Sequence, residues 1–247
     1  MPEHDLTNDV FIENATRLQA DETPAAWSFK SDAVADKFEQ HVREQLPWYD
    51  ALSRYVCDLV VSFLPQRGVV YDIGASTGNI TKLLCDTREA KGATFVSIEP
   101  SHQMTKNWAG TGELWTIDAE TVDYSRKRPD VAVLFLTLMF MRPGEREQFL
   151  AKLFEAVVPG GAVILVDKGY LGVPAVATAA KTALLASKLR SGSPADAYVS
   201  KELSLRGEQR PTDQGAVLEL ARLHDFDGER IFQFGEFYGL ALVKRAL

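Results

Sequence analysis

Residues 69–79 read VVYDIGASTGN. A run of β-formers, Val69–Ile73, gives way at once to Gly74, Ala75, Ser76, Thr77 and Gly78, and Ile80–Leu84 then begins a helical pattern. Small residues at such a junction mark a tight corner or a place where a ligand comes close to the backbone. Gly74 and Gly78 bring that freedom, and Ser76 and Thr77 set hydroxyls beside backbone N–H donors. Asp72 places a carboxylate at the mouth of an otherwise apolar strand, which is costly without a partner.

Outward from this junction, strands and helices alternate. Thr94–Ile98 reads as a second strand, followed by a helix from Ser101 to Trp108. Leu114–Ile117 reads as a third strand, and Asp130–Leu136 as a fourth with almost no polar residue, as when both faces are covered. Pro143–Val157 is a helix with proline in its first turn, and Pro159–Gly161 turns the chain into the strand Ala162–Val166. Upstream, Phe38, Val42, Leu46, Leu52, Val56, Leu59 and Phe63 recur at helical spacing, with Pro47 dividing two helices. Downstream, Arg230–Lys244 gives two strands with a short connection, hence an antiparallel hairpin. The pattern predicts a doubly wound α/β sheet with helices on both faces. Its ligand crevice lies beyond the carboxyl ends of the strands, where strand order reverses.

At 247 residues and 46% hydrophobic content, the chain fits one large domain or at most two small ones. The expected division is a polar arm over 1–26 and a single domain over 27–247. Within that domain, 27–64 forms N-terminal helices and 169–213 a cap over the strand ends. The longest apolar stretches are too short for a membrane span of about 20 residues. The start, MPEHDLTNDVF, lacks the basic and apolar regions of a secretion signal, so a cytoplasmic protein is expected. Cys57 and Cys85 form neither a metal spacing nor a disulfide framework. A net charge of −7 argues against a chain built to coat nucleic acid. Two basic patches leave direct nucleic-acid contact open: Ser125–Pro129, and the scattered Lys181, Lys188, Arg190, Lys201, Arg206 and Arg210. Their simplest reading is solvated loop and helix faces.

Two phosphate-binding readings of the glycine loop fail. A triphosphate loop needs lysine after its last glycine, where Asn79 stands, and a dinucleotide fingerprint needs glycine at Ser76. The loop instead resembles the first motif of class I S-adenosylmethionine-dependent methyltransferases. FVSIEP ends the second strand and sets Glu99 where that fold places an acid on the ribose hydroxyls. Asp118 and Ala119 match its adenine-edge position, and the tail hairpin its reversed final strand. The resemblance implies a Rossmann-like seven-stranded sheet with an antiparallel C-terminal hairpin strand, and S-adenosyl-L-methionine as cofactor.

Over 27–244 the chain also looks like the carboxy-S-adenosyl-L-methionine synthases. These use prephenate to carboxylate the sulfonium methyl, in a pathway of tRNA wobble-uridine modification. The likeness rests on WSFKSDAVADKFEQHVREQLPWYDAL, the glycine loop, LFLTLMFMRPGEREQFLAKLFEAVVPGGAVILVDK and FGEFYGLALVK. It implies cofactor contacts from Tyr49, from Gly74, Ala75 and Ser76, from Glu99 and Pro100, and from Asp118 and Ala119. Phe135 stands where the family has an asparagine. Leu203 stands where it has the arginine that grips the added carboxylate, with Arg206 and Arg210 out of register. With Asp72 and Gly78 added from the loop itself, these residues form the expected cofactor site, for S-adenosyl-L-methionine or its carboxylated derivative.

Methyl transfer needs a base when the acceptor is a hydroxyl or a protonated amine. Lys168, Tyr170 and His102 are the candidates, with Asp167 and Glu236 close by. Structural roles compete: Lys168 pairing with a carboxylate, Asp167 capping the next segment, His102 on the surface, Glu236 solvated at a hairpin turn. Phe135, Met139, Phe140 and Met141 form either an apolar acceptor wall or plain core. The expectation is methyl transfer to a small molecule or modified nucleoside by a homodimer. Carboxy-S-adenosyl-L-methionine synthesis and a non-catalytic cofactor-binding module are the alternatives. No metal is expected.

Overall fold

The computed structural model describes residues 28–190, 195–205 and 207–246. The polar arm expected over 1–26, Trp27 and Arg206 lie outside the described residues. Seven strands form one sheet: β1 (Val69–Ile73), β2 (Thr94–Ile98), β3 (Glu113–Trp115), β4 (Val131–Phe135), β5 (Ala162–Lys168), β6 (Phe226–Phe234) and β7 (Phe237–Lys244). Their order is β3-β2-β1-β4-β5-β7-β6. The first five run parallel, while β7 lies antiparallel to both β5 and β6. This is the expected class I methyltransferase sheet. Strand order reverses between β1 and β4, so the crevice opens beyond Ile73 and Phe135.

Side chains alternate across the sheet and divide the core in two. Tyr71, Ile73, Val96, Ile98 and Leu134 face one layer with α5 (Pro143–Ala156) and α8 (Gln214–Leu223). Val70, Val131, Val133 and Ile164 face the other with α2 (Tyr49–Phe63) and α3 (Asn79–Cys85). Every residue of β4 is buried, which accounts for its unbroken apolar sequence.

The chain breaks between α1 (Asp32–Gln45) and α2 around Pro47, as the missing N–H requires. The helix expected over Ser101–Trp108 is shorter, α4 (His102–Lys106); the Ser101 hydroxyl caps its start by accepting from the Met104 amide, and Asn107 ends it. Sequence reading missed α8. Its signals were Asp213, whose carboxylate accepts from the Gly215 and Ala216 amides, and the buried pair Val217 and Ala221 one turn apart. The hairpin begins at Phe226 rather than Arg230, since Asp227, Gly228 and Glu229 hide the alternation of β6.

After β5 the chain leaves the sheet as α6 (Pro174–Arg190) and α7 (Ala195–Ser204). It returns at Thr212, whose amide donates to the Lys168 carbonyl at 2.8 Å. Arg146 pins this return by donating to the carbonyls of Met141, Arg210 and Pro211. Arg128, from the basic run 125–129, is likewise occupied on the carbonyls of Ala156 and Val157. Among the described residues no helix is long and apolar enough to cross a membrane.

Candidate active site

The glycine loop connects β1 to α3 and is held to β2 by its own amides. Gly74 and Ala75 both donate to the Ile98 carbonyl, at 2.8 and 3.0 Å. The Ser76 amide donates to Glu99 at 2.9 Å, and the Gly78 amide to the Ala75 carbonyl at 2.8 Å. Amides engaged in this way do not form a phosphate cradle, in keeping with the failure of both phosphate motifs. The two glycines serve close packing. A Cβ on Gly74 (φ +73°) would lie 2.7 Å from Thr137 Oγ1 and Cγ2. One on Gly78 (φ +85°) would meet Trp108 and the Gly110 backbone at 2.6 Å. Ser76 takes a left-handed conformation (φ 51°) that favours glycine. Thr77 is buried, and its hydroxyl donates to Glu39 of α1.

Glu99 is the clasp. One carboxylate oxygen accepts from Ser76, the other from the Ser101 amide, each at 2.9 Å. Burial pushes its pKa up while these two amides oppose the rise. Asp72 is also buried, and its Oδ2 has no hydrogen-bond partner among the described residues; the same holds for Ser76 Oγ. Burial, and then the nearby Glu99 carboxylate, push the Asp72 carboxyl up to about 7 against the opposing Thr81 amide.

This shift ties stability to pH. An aspartate in the open chain titrates near 3.8, so between 3.8 and about 7 the folded protein holds a proton that the unfolded chain has released. Stability from this site is full below that window and declines as pH rises through it. Asp72→Asn is therefore expected to raise the melting temperature of the ligand-free protein at about pH 8, with the gain shrinking toward about pH 4. Melting curves at both ends check it; an equal gain at both would contradict the buried charge as its cause.

A cavity of about 1190 Å³ extends from the loop, over the strand ends, to the cap. Its volume exceeds the roughly 300–1,000 Å³ of an ordinary small-molecule site. Tyr49, Asp72, Gly74, Ala75, Ser76, Glu99, Pro100, Asp118, Ala119 and Phe135 all line it. Tyr49 is buried edge-on against Phe135, with ring centroids 5.5 Å apart. Phe29, Phe38, His41 and Val42 line the cavity from α1 and the segment just before it. Met139, Phe140 and Met141 line the cavity as well, and Met139 and Met141 are at the same time buried, Met141 in the core layer of α5 and α8.

Several expected residues fall elsewhere. Gly78 does not line the cavity, since it is turned against Trp108. His102 and Tyr170 are exposed and away from it, which leaves Lys168 as the one of the three base candidates in place. Asp167 is buried and accepts from the Met139 and Lys168 amides, so it braces the loop after β4 rather than capping the next segment. Glu236 is not solvated: its side chain is 16% exposed, 3.7 Å from Lys168 and 3.4 Å from Lys181. Leu203 is exposed and, like Arg210, outside the lining. Lys181 and Lys188, read from sequence as solvated, line the cavity from α6 together with Leu184. Nothing local to α6 announced this, because its apolar residues lie on every side.

The arrangement offers acids at one end, aromatic walls in the middle and lysines at the other end. The unpartnered Asp72 and Ser76 oxygens, with Glu99 and Asp118, suit a cationic ligand that carries a sugar. Among the described residues no group of three or more potential metal ligands comes together.

Comparison with known proteins agrees with this fold. Residues 71–165 match the model of a methyltransferase domain. The chain is 27% identical over 227 residues to a carboxy-S-adenosyl-L-methionine synthase of Staphylococcus epidermidis, covering 90% of this chain and 98% of that one. An O-methyltransferase family protein from Burkholderia thailandensis superposes with a TM-score of 0.62 at 14% identity, over 97% of this chain and 70% of that one. Human N-acetylserotonin methyltransferase, solved in complex with S-adenosylmethionine, superposes with a TM-score of 0.58 at 11% identity, over 98% and 68% of the two chains.

Proposed function

We propose that this chain, a transferase that uses S-adenosylmethionine on the class I methyltransferase fold, passes the methyl group to a small-molecule or modified-nucleoside acceptor bound under its cap. The observation that carries the reading is the continuous cavity of about 1190 Å³, with room beyond the Asp72–Glu99 end for a second molecule. In this reading Glu99 accepts the ribose hydroxyls, and Asp118 and Ala119 border the adenine. Asp72 and Ser76 face the charged part of the cofactor, and the Tyr49–Phe135 pair walls its side. When bound, the cofactor supplies an electrophilic sulfonium methyl. The protein's part is to align the acceptor and exclude water, and positioning alone is worth about 7–11 kcal/mol. Phe29, Met139, Phe140 and Phe237 make that part of the cavity apolar.

A second reading is carboxy-S-adenosyl-L-methionine synthesis in the modification of tRNA. It is favoured by the Staphylococcus epidermidis relative, which aligns over nearly its whole length. Against it, the described cap residues bring lysines rather than an arginine to the cavity. Mass spectrometry of the nucleoside product separates the two. With cofactor and a panel of hydroxyl and amine acceptors, methyl transfer yields the demethylated thioether and a methylated acceptor. A gain of one CO2 unit on the cofactor in the presence of prephenate would instead establish synthesis. Turnover with neither would leave only a binding module.

The proposal extends to a cytoplasmic homodimer joined through the cap. No residue of α6 is buried, and Val173, Val176, Val199 and Leu203 are exposed on or beside the two cap helices. Sedimentation at micromolar concentration is expected to give a dimer; a monomer would reject this arrangement.

A further inference from the structure

We propose that Glu39 is a positioning residue of the cofactor site: one of its oxygens holds the glycine loop, the other the Tyr49 wall, and this tie slows release of the bound cofactor. The inference rests on the cofactor reading of the cavity and adds to it a residue that does not itself line that cavity. Phe38 and Val42, one turn apart on α1, do line it, and Glu39 and Arg43 form the neighbouring stripe at the same spacing. Glu39 Oε1 accepts from the Thr77 hydroxyl, and Oε2 pairs with Arg43. Arg43 in turn donates from Nε to Asp50 at 2.8 Å and lies 5.5 Å from the centre of the Tyr49 ring. One carboxylate thus joins α1, the glycine loop and the start of α2.

The loop needs such a tie. Thr77 follows Ser76, whose left-handed backbone (φ 51°) is a conformation that a residue with a side chain keeps only when its surroundings fix it. The fixing comes from both sides. The Ser76 amide donates to Glu99, the Thr77 carbonyl accepts from the Ala109 amide, and the Thr77 hydroxyl reaches Glu39. Thr77 is 5% exposed, so removing Glu39 takes the acceptor from a buried hydroxyl. The Arg43 arm is more open, with side chains 39% and 37% exposed, so the Thr77 arm carries most of the effect. At the other end of α1, Asp32 pairs with Lys106 at 2.6 Å in full view of solvent, where an ion pair contributes little.

The test is stopped-flow kinetics of S-adenosylhomocysteine binding to the full chain. Glu39→Ala is expected to raise the dissociation rate about five- to twenty-fold and to change the association rate by less than about three-fold, since differences at one site fall mainly on dissociation. Thr77→Val keeps the shape and removes the hydroxyl. It is expected to do the same, and it carries the test should Glu39→Ala fold poorly. The double variant is expected to release the ligand no more than about twice as fast as the faster single one, because both changes remove the same bond. Asp32→Ala, which frees α1 elsewhere, is expected to leave both rates within about two-fold of wild type. A merely structural Glu39 would lower the melting temperature of Glu39→Ala and leave dissociation from the folded protein unchanged. That result, multiplying effects in the double variant, or an equal rise in Asp32→Ala would each overturn the proposal and leave the cofactor reading intact. Failure of the wild type to bind S-adenosylhomocysteine would instead remove that reading, and the proposal with it.

Discussion

Glu99→Gln is expected to weaken S-adenosylmethionine binding by roughly ten- to a hundred-fold, the scale of one lost hydrogen bond to a charged group. The two side chains have the same shape, but the structure shows why they are not equivalent. Each carboxylate oxygen of Glu99 accepts a backbone N–H, one from Ser76 and one from Ser101. An amide has one accepting oxygen, so its NH2 would confront one of those donors and leave it unsatisfied in a buried site. The glycine loop and the start of α4 would lose their shared anchor, and the ribose an ionised acceptor. Titration of wild type and variant checks the affinity. A parallel melting curve shows whether the variant still folds, since losing one buried hydrogen bond costs only about 1–3 kcal/mol. Unchanged affinity in a folded variant would remove Glu99 from the ribose.

Gly74→Ala has the largest expected effect on stability. The left-handed backbone costs an L-residue about 1–2 kcal/mol, and a Cβ only 2.7 Å from two Thr137 atoms forces a repacking worth about 1–3 kcal/mol more. For a domain of this size each kcal/mol lowers the melting temperature by about 2–4 °C, so a fall of roughly 4–20 °C follows. A double-mutant cycle with Thr137→Ala separates the two causes. That change removes the atoms at 2.7 Å and leaves Thr137 Cβ at 3.2 Å, so Gly74→Ala should cost less in its presence. The backbone part of the loss remains. Equal cost in both backgrounds would place the whole effect in the left-handed conformation.

What the sequence made legible was local. A strand running into Gly74–Gly78 states its own conformational need. The acid ending β2 and the reversed hairpin follow at fixed distances along the chain, so the fold and the loop end of the cavity could be read together. The cap end could not, because it is assembled from distant segments. Glu236 meets Lys168 only because β5 and β7 pair with Lys168 opposite Phe237. Lys181 and Lys188 reach the cavity because α6 turns that side inward, and a helix with small and apolar residues on every side carries no marker of orientation. Tyr170 shows the reverse: two residues beyond Lys168 in sequence, it points to solvent, where the chain has already left the sheet.

The Asp72 and Ser76 oxygens join these two halves. Both are buried without partners among the described residues, beside a clasp whose two oxygens each accept one backbone amide and keep acceptor capacity for a ligand. In a fold whose buried polar groups are otherwise largely satisfied, such oxygens indicate a site kept ready for a polar ligand. The acidic end that they share with Glu99 favours a ligand with positive charge.

Isothermal calorimetry of S-adenosylmethionine with the full chain tests that claim most directly. The account predicts saturable binding of one molecule per chain, weakened in Glu99→Gln by the factor above. No heat from S-adenosylmethionine or from S-adenosylhomocysteine, with a folded protein in the cell, would contradict it.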